Sequence, residues 1–488
     1  VTVLAFDLGA SSGRLLVGAL TDGCLVVKEV HRFDNTPVRV HDALHWDVLK
    51  LWHEMKVGLK KAVDGGWKPE SIGIDTWAVD YGLLDRQGQL LGHPFHYRDQ
   101  RTKAVMDNAF QTVSREDIFM ETGIQFLEFN TLYQLISQQQ SDPERLEQAK
   151  TLLMMPDLLR YFLTGETFAE RTNASTTQCW SPKTETWSKS LFDAFDLPIR
   201  LMPPLLAPGD KAGTLTAAVT EETGMDPIPV IAVGEHDTAS AVAAVPAKDT
   251  PFAYLSCGTW SLLGTEVETP VITEQSATWN FTNEAGVYGS YRLLKNIMGL
   301  WLLQESMRVW EREGKPFSFE KMNNEVAVVA PFRSLIDPDD PRFLKPANMV
   351  QAIQQYCADT NQPVPATQGE IVRTILESLA LAYRRTLERT EQLVGNTFQG
   401  LHMVGGGIQN KVLCQMTANA IGRPVWAGPI EGTGIGNMLV QLIALGRIED
   451  LQEARRIVAR SETVTTYEPS KEADAWTIAY KRFLQLVD

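Results

Sequence analysis

The segment Asp7-Leu-Gly-Ala-Ser-Ser-Gly-Arg14 joins two apolar runs, Val1–Phe6 and Arg14–Leu20. A turn built of small residues bares a row of backbone N–H groups, which is the chemistry that wraps phosphate oxygens. Ser11 and Ser12 add hydroxyl donors, Arg14 adds positive charge at the far side, and Asp7 stands where it could hold a Mg²⁺ shared with the phosphates. The plain alternative is a hairpin turn. The segment is neither a GxxxxGK[ST] loop nor a GxGxxG fingerprint, which disfavours those two nucleotide folds. Ser256-Cys-Gly-Thr-Trp-Ser261 repeats the arrangement near mid-chain, with Gly258 and Thr259 between two apolar runs. Gly234-Glu-His-Asp-Thr238 follows an apolar run and opens a helical one. There Asp237 either caps the helix or accepts a hydroxyl proton during transfer of a phosphoryl group, with His236 and Thr238 orienting a polyol. Finally, Val404-Gly-Gly-Gly-Ile-Gln-Asn410 offers glycines that let a flat ring such as adenine approach the backbone, and Asn410 adds a polar contact.

Further polar positions interrupt apolar stretches. Trp77, Ala78 and Asp80 lie in a stretch read as one strand, and Arg98, Asp99 and Arg101 crowd a loop. Asn296 and Gln304 are eight residues apart, which places them on one face if the segment is helical. None of the eight histidines stands in HExxH or similar spacing, so zinc is not expected.

The elements that must position these groups follow from pattern. Three apolar runs joined by tight turns, with Asp22-Gly23 as the second turn, predict an antiparallel start to a sheet. Leu44, Val48, Leu51, Met55, Leu59 and Ala62 recur at spacings of three and four, which predicts a helix capped by Asp42 and stopped by Gly65-Gly66. Weaker helical patterns cover about 104–112, 131–140 and 143–164. A long amphipathic helix carries Val372, Leu376, Leu379, Tyr383, Leu387 and Val394 on one face and ends at Gly395. Each half of the chain opens with strand, small-residue turn and strand, so the boundary is set at 246/247, giving domains 1–246 and 247–488.

Composition narrows the function classes. At 488 residues with 44% hydrophobic and 22% charged side chains, the chain is globular and long enough for two or three domains. A formal charge of -15 argues against nucleic acid as main partner, though a local basic pocket for a small phosphate is compatible with it. No apolar run reaches the length of a membrane span, and the first ten residues lack the pattern of a signal peptide. Five scattered cysteines with no CxxC pair read as reduced thiols in a cytoplasmic protein.

Taken in order, DLGASSGR, GIDTWAVDYGLLDRQGQLL, YRDQRT, TNASTTQ, GEHDTASAV, LSCGTWSLLG and MVGGGIQN resemble the FGGY family of carbohydrate kinases, across nearly the whole chain. GIQFLEFNTLYQL and LLKNIMGLWLLQE look like the branch of that family that phosphorylates L-rhamnulose. The resemblance implies an α/β fold of two actin/hexokinase-like, ribonuclease H-like ATPase domains, with the active site in a cleft between them. It implies ATP and Mg²⁺, and transfer to the 1-hydroxyl of L-rhamnulose with ADP as the other product. By matching position, Asp237 would be the general base and Asp7 would face the metal. Ala10, Ser11, Ser12, Gly13, Arg14, Thr259, Gln304, Gly405, Gly406 and Asn410 would contact ATP. Ala78, His236, Asp237, Thr238 and Asn296 would contact the sugar. Ala78 stands where that branch commonly has glycine, a change that could narrow the sugar pocket.

The rivals are a kinase for another ketose or polyol (L-fuculose, L-ribulose, D-xylulose or glycerol), an ATP-driven switch of the same fold, and a sugar-binding protein without catalysis. A 6-deoxy sugar needs an apolar patch, for which Trp77, Phe126 and Phe129 are candidates, with core packing as their alternative role. The sequence specifies no oligomeric state.

Overall fold

The computed structural model describes residues 1–248, 251–471 and 473–488, in two compact units. The first unit comprises Val1–Lys248, Glu266–Leu293 and Gly432–Glu462, and the second the remainder of the chain. Position 246/247 lies two residues from where the chain first leaves the first unit. The later returns, Glu266–Leu293 and Gly432–Glu462, are stretches that a single cut cannot capture. The reason for the second is visible in the packing. In the helix Gly432–Ala444, a Cβ on Gly436 would lie 1.7 Å from the carbonyl oxygen of Ser240, so this helix meets the helix after Gly234 backbone to backbone. Gly436→Ala is therefore expected to lower stability by about 1–3 kcal/mol through overpacking, read as a shifted urea midpoint; an unchanged midpoint would show that the helices can separate without loss.

The first unit is built on β1 (Thr2–Leu8), β2 (Ser12–Thr21), β3 (Cys24–Asp34), α1 (Val48–Asp64), β4 (Ile72–Thr76), β5 (Lys211–Thr214), β6 (Pro229–Ile231) and α2 (Asp237–Ala243). Its sheet runs β5-β6-β4-β1-β2-β3. β1 and β4 are parallel, as are β6 and β4, while β1, β2 and β3 form the antiparallel start expected from the two turns. α1 buries Val48, Leu51, Met55, Leu59 and Ala62, and Gly65 ends it. Fully burying each of Leu51 and Leu59 is worth about 1.5–3 kcal/mol. Its cap is Asp47, which accepts from Lys50 N, and not Asp42. Residues 43–45 pair instead with Val38–Val40 as a short hairpin, and Asp42 sits in its turn.

Two other expectations change. The 143–164 pattern divides into helix Pro143–Gln148, strand Thr151–Met154 and helix Met155–Thr164. The strand there pairs with Tyr81–Leu84, a tertiary contact that a helical count along one segment does not see. The stretch read as one strand from residue 71 breaks after Thr76 and resumes at Tyr81.

In the second unit, β7 (Ala253–Cys257) and β8 (Trp260–Val267) form an antiparallel hairpin. Then follow α3 (Trp301–Arg312), α4 (Gln368–Val394), β9 (Leu401–Val404), α5 (Lys411–Ile421), β10 (Val425–Ala427) and β11 (Thr465–Tyr467). β9 pairs in parallel with β7 and with β10. A hairpin followed by parallel neighbours is thus the plan of both units. α4 is the predicted long helix, with a Thr367/Glu370 capping box at its start and Gly395 at φ 66° as its stop. Among the described residues no helix is long and apolar enough to cross a membrane.

Candidate active site

Strand register in the first unit sets three charged side chains in a row. Arg14 on β2 stands opposite Asp7 on β1, and Asp75 on β4 is the parallel partner of Asp7. Partners in register share a face of the sheet. Arg14 Nη2 donates to Asp7 Oδ2 at 2.5 Å, so the cation expected at phosphate and the carboxylate expected at metal hold one another. Asp75 is fully buried, accepts from Asn437 Nδ2 at 2.7 Å through Oδ2, and has no hydrogen-bond partner on Oδ1. Burial, and then the Asp7 charge, push its carboxyl well above the usual carboxylate range. Sequence reasoning passed over Asp75. The signal was there: two apolar runs, Val-Leu-Ala-Phe and Ile-Gly-Ile, each end on an aspartate.

Asp7 and Asp75 together form an oxygen donor set with one unsatisfied buried oxygen. That fits Mg²⁺, which takes one or two carboxylates and otherwise keeps water and phosphate oxygens. Among the described residues no group of three or more His, Cys, Asp and Glu is arranged to hold a metal ion.

The small-residue turn itself is tightly tied. Gly9 N donates to Ser12 O, Asn35 N to Ser11 O, and Asn35 Nδ2 to Gly9 O. Ser11 is exposed and Ala10 and Ser12 half-buried, whereas Gly13 is buried. A Cβ on Gly13 would meet the Phe33 ring at 2.4 Å. Its missing side chain makes room for an aromatic ring rather than for a ligand.

Asp237 is the first residue of α2, and His236 is the cap position. The parallel bridge Thr76–His236 and the bond Thr76 N to Glu235 O bring it to the end of β4. Its Oδ1 accepts from Thr238 N at 2.6 Å and Thr238 Oγ1 at 3.2 Å, and His236 Nε2 lies 3.4 Å away. The side chain keeps 34% of its area open to solvent. Burial of the rest lifts its pKa above the ordinary aspartate value, His236 opposes that, and the Asp7 charge adds to it. Thus Asp7, Asp75, Asp237, His236 and Thr238 are gathered in one unit.

The peptide before Asp237 rests on a fully buried charge cluster. Arg160 reaches Glu235 Oε1 at 2.9 Å and Asp157 Oδ1 at 2.6 Å. Glu170 accepts from Glu235 N at 3.2 Å and from Thr172 Oγ1 at 2.5 Å, and that hydroxyl accepts from His236 N. Burial pushes Asp157 up to about 6 and Glu170 up to about 7, and Glu235 well above its ordinary value.

Ala78 is half-buried in the break between the two strands. That break is held by Asp80, whose fully buried carboxylate accepts from Trp46 Nε1 at 2.6 Å, Trp77 Nε1 at 3.1 Å, Tyr97 N at 3.1 Å and Gln134 Nε2 at 2.9 Å. Val79 takes φ 67°, a region hostile to β-branched residues, and its carbonyl accepts from Thr131 Oγ1 at 2.7 Å. Burial pushes Asp80 up to about 6 against those hydrogen bonds. Asp80→Ala strands buried indole N–H groups, and a loss of about 1–3 kcal/mol for each is expected in thermal or urea unfolding. A melt within error of the parent would refute this. Of the aromatic candidates, Trp77 packs against Trp46 with ring centres 4.1 Å apart and planes tilted by 37°, and Phe126 lies in the core against Phe110 and Phe119. Arg101 packs over Phe95 and bonds Gln134, while Asp99 accepts from Leu44 N, so this loop's charges serve its own folding.

In the second unit, Thr259 Oγ1 donates to Gln304 Oε1 at 3.2 Å, which brings those two candidates together at the start of α3. Asn296 and Gln304 do not share a helical face. Asn296 lies in the strand Tyr291–Met298 and Gln304 in α3. Gly299 separates them because a Cβ there would lie 2.5 Å from Ser261 Oγ and 2.8 Å from its backbone N. Gly405 takes φ 93°, and nothing would lie within 4 Å of a Cβ on Gly406. That open backbone fits a flat ring. Asn410 caps α5 by accepting from Leu413 N at 3.0 Å, and its buried Nδ2 has no hydrogen-bond partner. All five cysteines are free thiols, four of them buried, Cys257 among these.

Residues 2–244 match the FGGY family of carbohydrate kinases, N-terminal domain, and residues 253–445 match its C-terminal domain. A rhamnulokinase of Bacteroides thetaiotaomicron is 45% identical over 483 residues, covering 99% of either chain. One of Oceanobacillus iheyensis is 41% identical over 464 residues, 95% of this chain and 97% of that one. Among solved structures, a ligand-bound xylulose kinase from Lactobacillus acidophilus superposes with a TM-score of 0.82 at 16% identity, over 99% of this chain and 97% of the other. A glycerol kinase of Plasmodium falciparum with ADP gives 0.78 at 16% identity, with the same coverage. At such identity the solved structures speak to the fold alone, which is the two-domain α/β fold of sugar kinases.

Proposed function

The chain belongs to the FGGY family of carbohydrate kinases, and on that premise we propose that it transfers the γ-phosphoryl group of ATP to the 1-hydroxyl of L-rhamnulose. The observation that carries the substrate is the full-length similarity to rhamnulokinases at 40–45% identity. The chemistry rests on Asp237. Its carboxylate takes the proton from the sugar hydroxyl as the oxygen attacks phosphorus, and its raised pKa makes it a stronger base than a surface aspartate. His236, Thr238, Ala78 and Asn296 hold the sugar. Thr259 with Gln304, the open glycines Gly405 and Gly406, and the unsatisfied amide of Asn410 hold the nucleotide. The turn Ala10 to Arg14 offers donors to the phosphates, Arg14 by leaving Asp7. A Mg²⁺ carried by Asp7 and Asp75 would neutralise phosphate charge. Phosphoryl transfer needs chiefly positioning and charge neutralisation, and this set of residues supplies both. The cytoplasm, where ATP is plentiful, is the compartment this reaction suits.

The test is ADP release in a coupled assay with Mg-ATP and L-rhamnulose, L-fuculose, L-ribulose, D-xylulose or glycerol as acceptor. The expected result is a kcat/KM for L-rhamnulose well above the others. Preference for another acceptor would move the substrate assignment and implicate Ala78. Turnover indifferent to every acceptor would overturn the kinase reading.

A further inference from the structure

His236 has three ionisable neighbours, and their arrangement constrains where its proton sits. On one side Nε2 faces Asp237 Oδ1 at 3.4 Å. On the other, Nδ1 lies 3.1 Å from Arg292 Nη2 and 3.1 Å from Glu284 Oε2. Arg292 Nη1 is 3.1 Å from the same Glu284 oxygen, and its Nε donates to Ala285 O at 3.1 Å. Arg292 is fully buried and Glu284 nearly so. A buried ion pair gains little stability over apolar packing, so a geometric role is the better explanation for keeping one here.

A guanidinium only donates hydrogen bonds and a carboxylate only accepts them. With Arg292 donating to Nδ1, the imidazole is neutral and its proton is on Nε2. Glu284 Oε2 approaches Nδ1 at ion-pair distance and not as a hydrogen-bond acceptor, so Arg292 is the hydrogen-bonding partner of Nδ1. The one state at odds with the neighbours is the neutral ring protonated on Nδ1 alone. That state would set the lone pair of Nε2 against Asp237 Oδ1 and Nδ1–H against the guanidinium. Among the described residues, every hydrogen bond and ion pair that reaches the Asp237 side chain arrives at Oδ1.

We infer that Arg292 is a positioning residue that keeps a proton on Nε2 of His236, so that His236 turns an N–H toward Asp237 Oδ1, 3.4 Å away, and Oδ2 is left to take the sugar proton. This rests on Asp237 being the base. In the step itself the hydroxyl proton passes to Oδ2, the sugar oxygen bonds phosphorus, and the bond from phosphorus to the ADP oxygen breaks. His236 neither gains nor loses a proton. Oδ1 could not serve as well, because Thr238 N and Thr238 Oγ1 already donate to it. The tripeptide Glu-His-Asp thereby divides its work, with a donor and an acceptor in fixed order along the backbone. Neither Glu284 nor Arg292 shows in the sequence as anything but a pair of charges eight residues apart.

The experiment is ¹⁵N–¹H correlation across the imidazole rings of the full-length protein labelled at histidine, with His236→Gln identifying the signals. The wild-type spectrum should show Nε2 protonated. Arg292→Leu should shift His236 toward protonation on Nδ1 and lower kcat on the order of 10- to 100-fold, as loss of positioning at a reacting group does. Arg292→Lys, which still donates, should restore the wild-type pattern and most of kcat. A wild-type ring protonated on Nδ1 alone overturns the inference without any variant. So does an Arg292→Leu protein that loses kcat with its His236 signals unmoved, since the arginine would then act through packing only. If Asp237→Asn keeps normal turnover, the base assignment fails while the His236 spectrum still reads as predicted, so the two failures are told apart.

Discussion

Asp237→Asn should lower kcat with L-rhamnulose on the order of 10²–10⁴-fold, the contribution of one positioned general base, while the sugar still binds. Asparagine fills the same volume and its carbonyl can accept from Thr238 N, the 2.6 Å bond that fixes the side chain at the start of α2. What it lacks is the capacity to take a proton. Calorimetric titration with the sugar should therefore give a dissociation constant within a few-fold of the parent. The two alternatives for this residue separate cleanly here. The structural role, a hydrogen bond from Thr238 N at the first residue of α2, is kept by asparagine and its change costs little. Near-normal turnover in the variant would demote Asp237 to a structural role. The parent's acid limb carries the same information. Burial raises the Asp237 pKa, so activity should fall away as pH drops through a midpoint above the ordinary aspartate range, because protonation removes the base. A limb at or below that range would say that another group limits the rate.

Legibility in the sequence follows a physical line. The turns and helices whose signals are local were readable: the Asp22-Gly23 turn, the buried stripe of α1, and the Gly395 stop of α4. The placement of Asp237 at the start of a helix after an apolar strand was readable because that setting is contiguous in the chain. Asp75 was not singled out, because its meaning comes from lying in register with Asp7, sixty-eight positions away (75 less 7). Asp80 was read as one polar residue on a strand. Only the fold brings the indoles of Trp46 and Trp77 and the amide of Gln134 to it, and that convergence breaks the strand. The return of Gly432–Ala444 to the first unit was likewise invisible, since its cause is a missing side chain at Gly436 set against a carbonyl of Ser240. Gly13 and Asn410 carry a further lesson. Both stand in motifs read as ligand loops, and both have structural work in the fold, under Phe33 and at the cap of α5.

Arg160→Met should be the most damaging single change outside the reacting groups, at about 3–5 kcal/mol near neutral pH. Among the described residues the guanidinium is the one cation drawn into a cluster with Asp157, Glu170 and Glu235, all with no exposed area. Without it, three buried carboxyl groups face each other. The pH dependence gives the prediction its sign. Burial raises these groups to about 6 for Asp157 and about 7 for Glu170, so the folded chain binds protons there that the unfolded chain has released. Their favourable contribution is complete below the unfolded carboxylate range, near pH 4, and is lost as pH rises through 6 to 7. Removing Arg160 takes away the charge that favoured ionisation, which steepens that loss. The difference in urea midpoint between parent and Arg160→Met should thus be small at pH 5 and large at pH 8. A difference independent of pH would mean that the arginine stabilises by packing alone. The damage should also reach the chemistry. Glu235 N bonds Glu170, and His236 N bonds the Thr172 hydroxyl that Glu170 holds, so the backbone carrying Asp237 hangs from the same cluster. Variant protein that is still folded at pH 5 should accordingly show a reduced kcat, because a base displaced by a fraction of an ångström loses its alignment before the fold gives way.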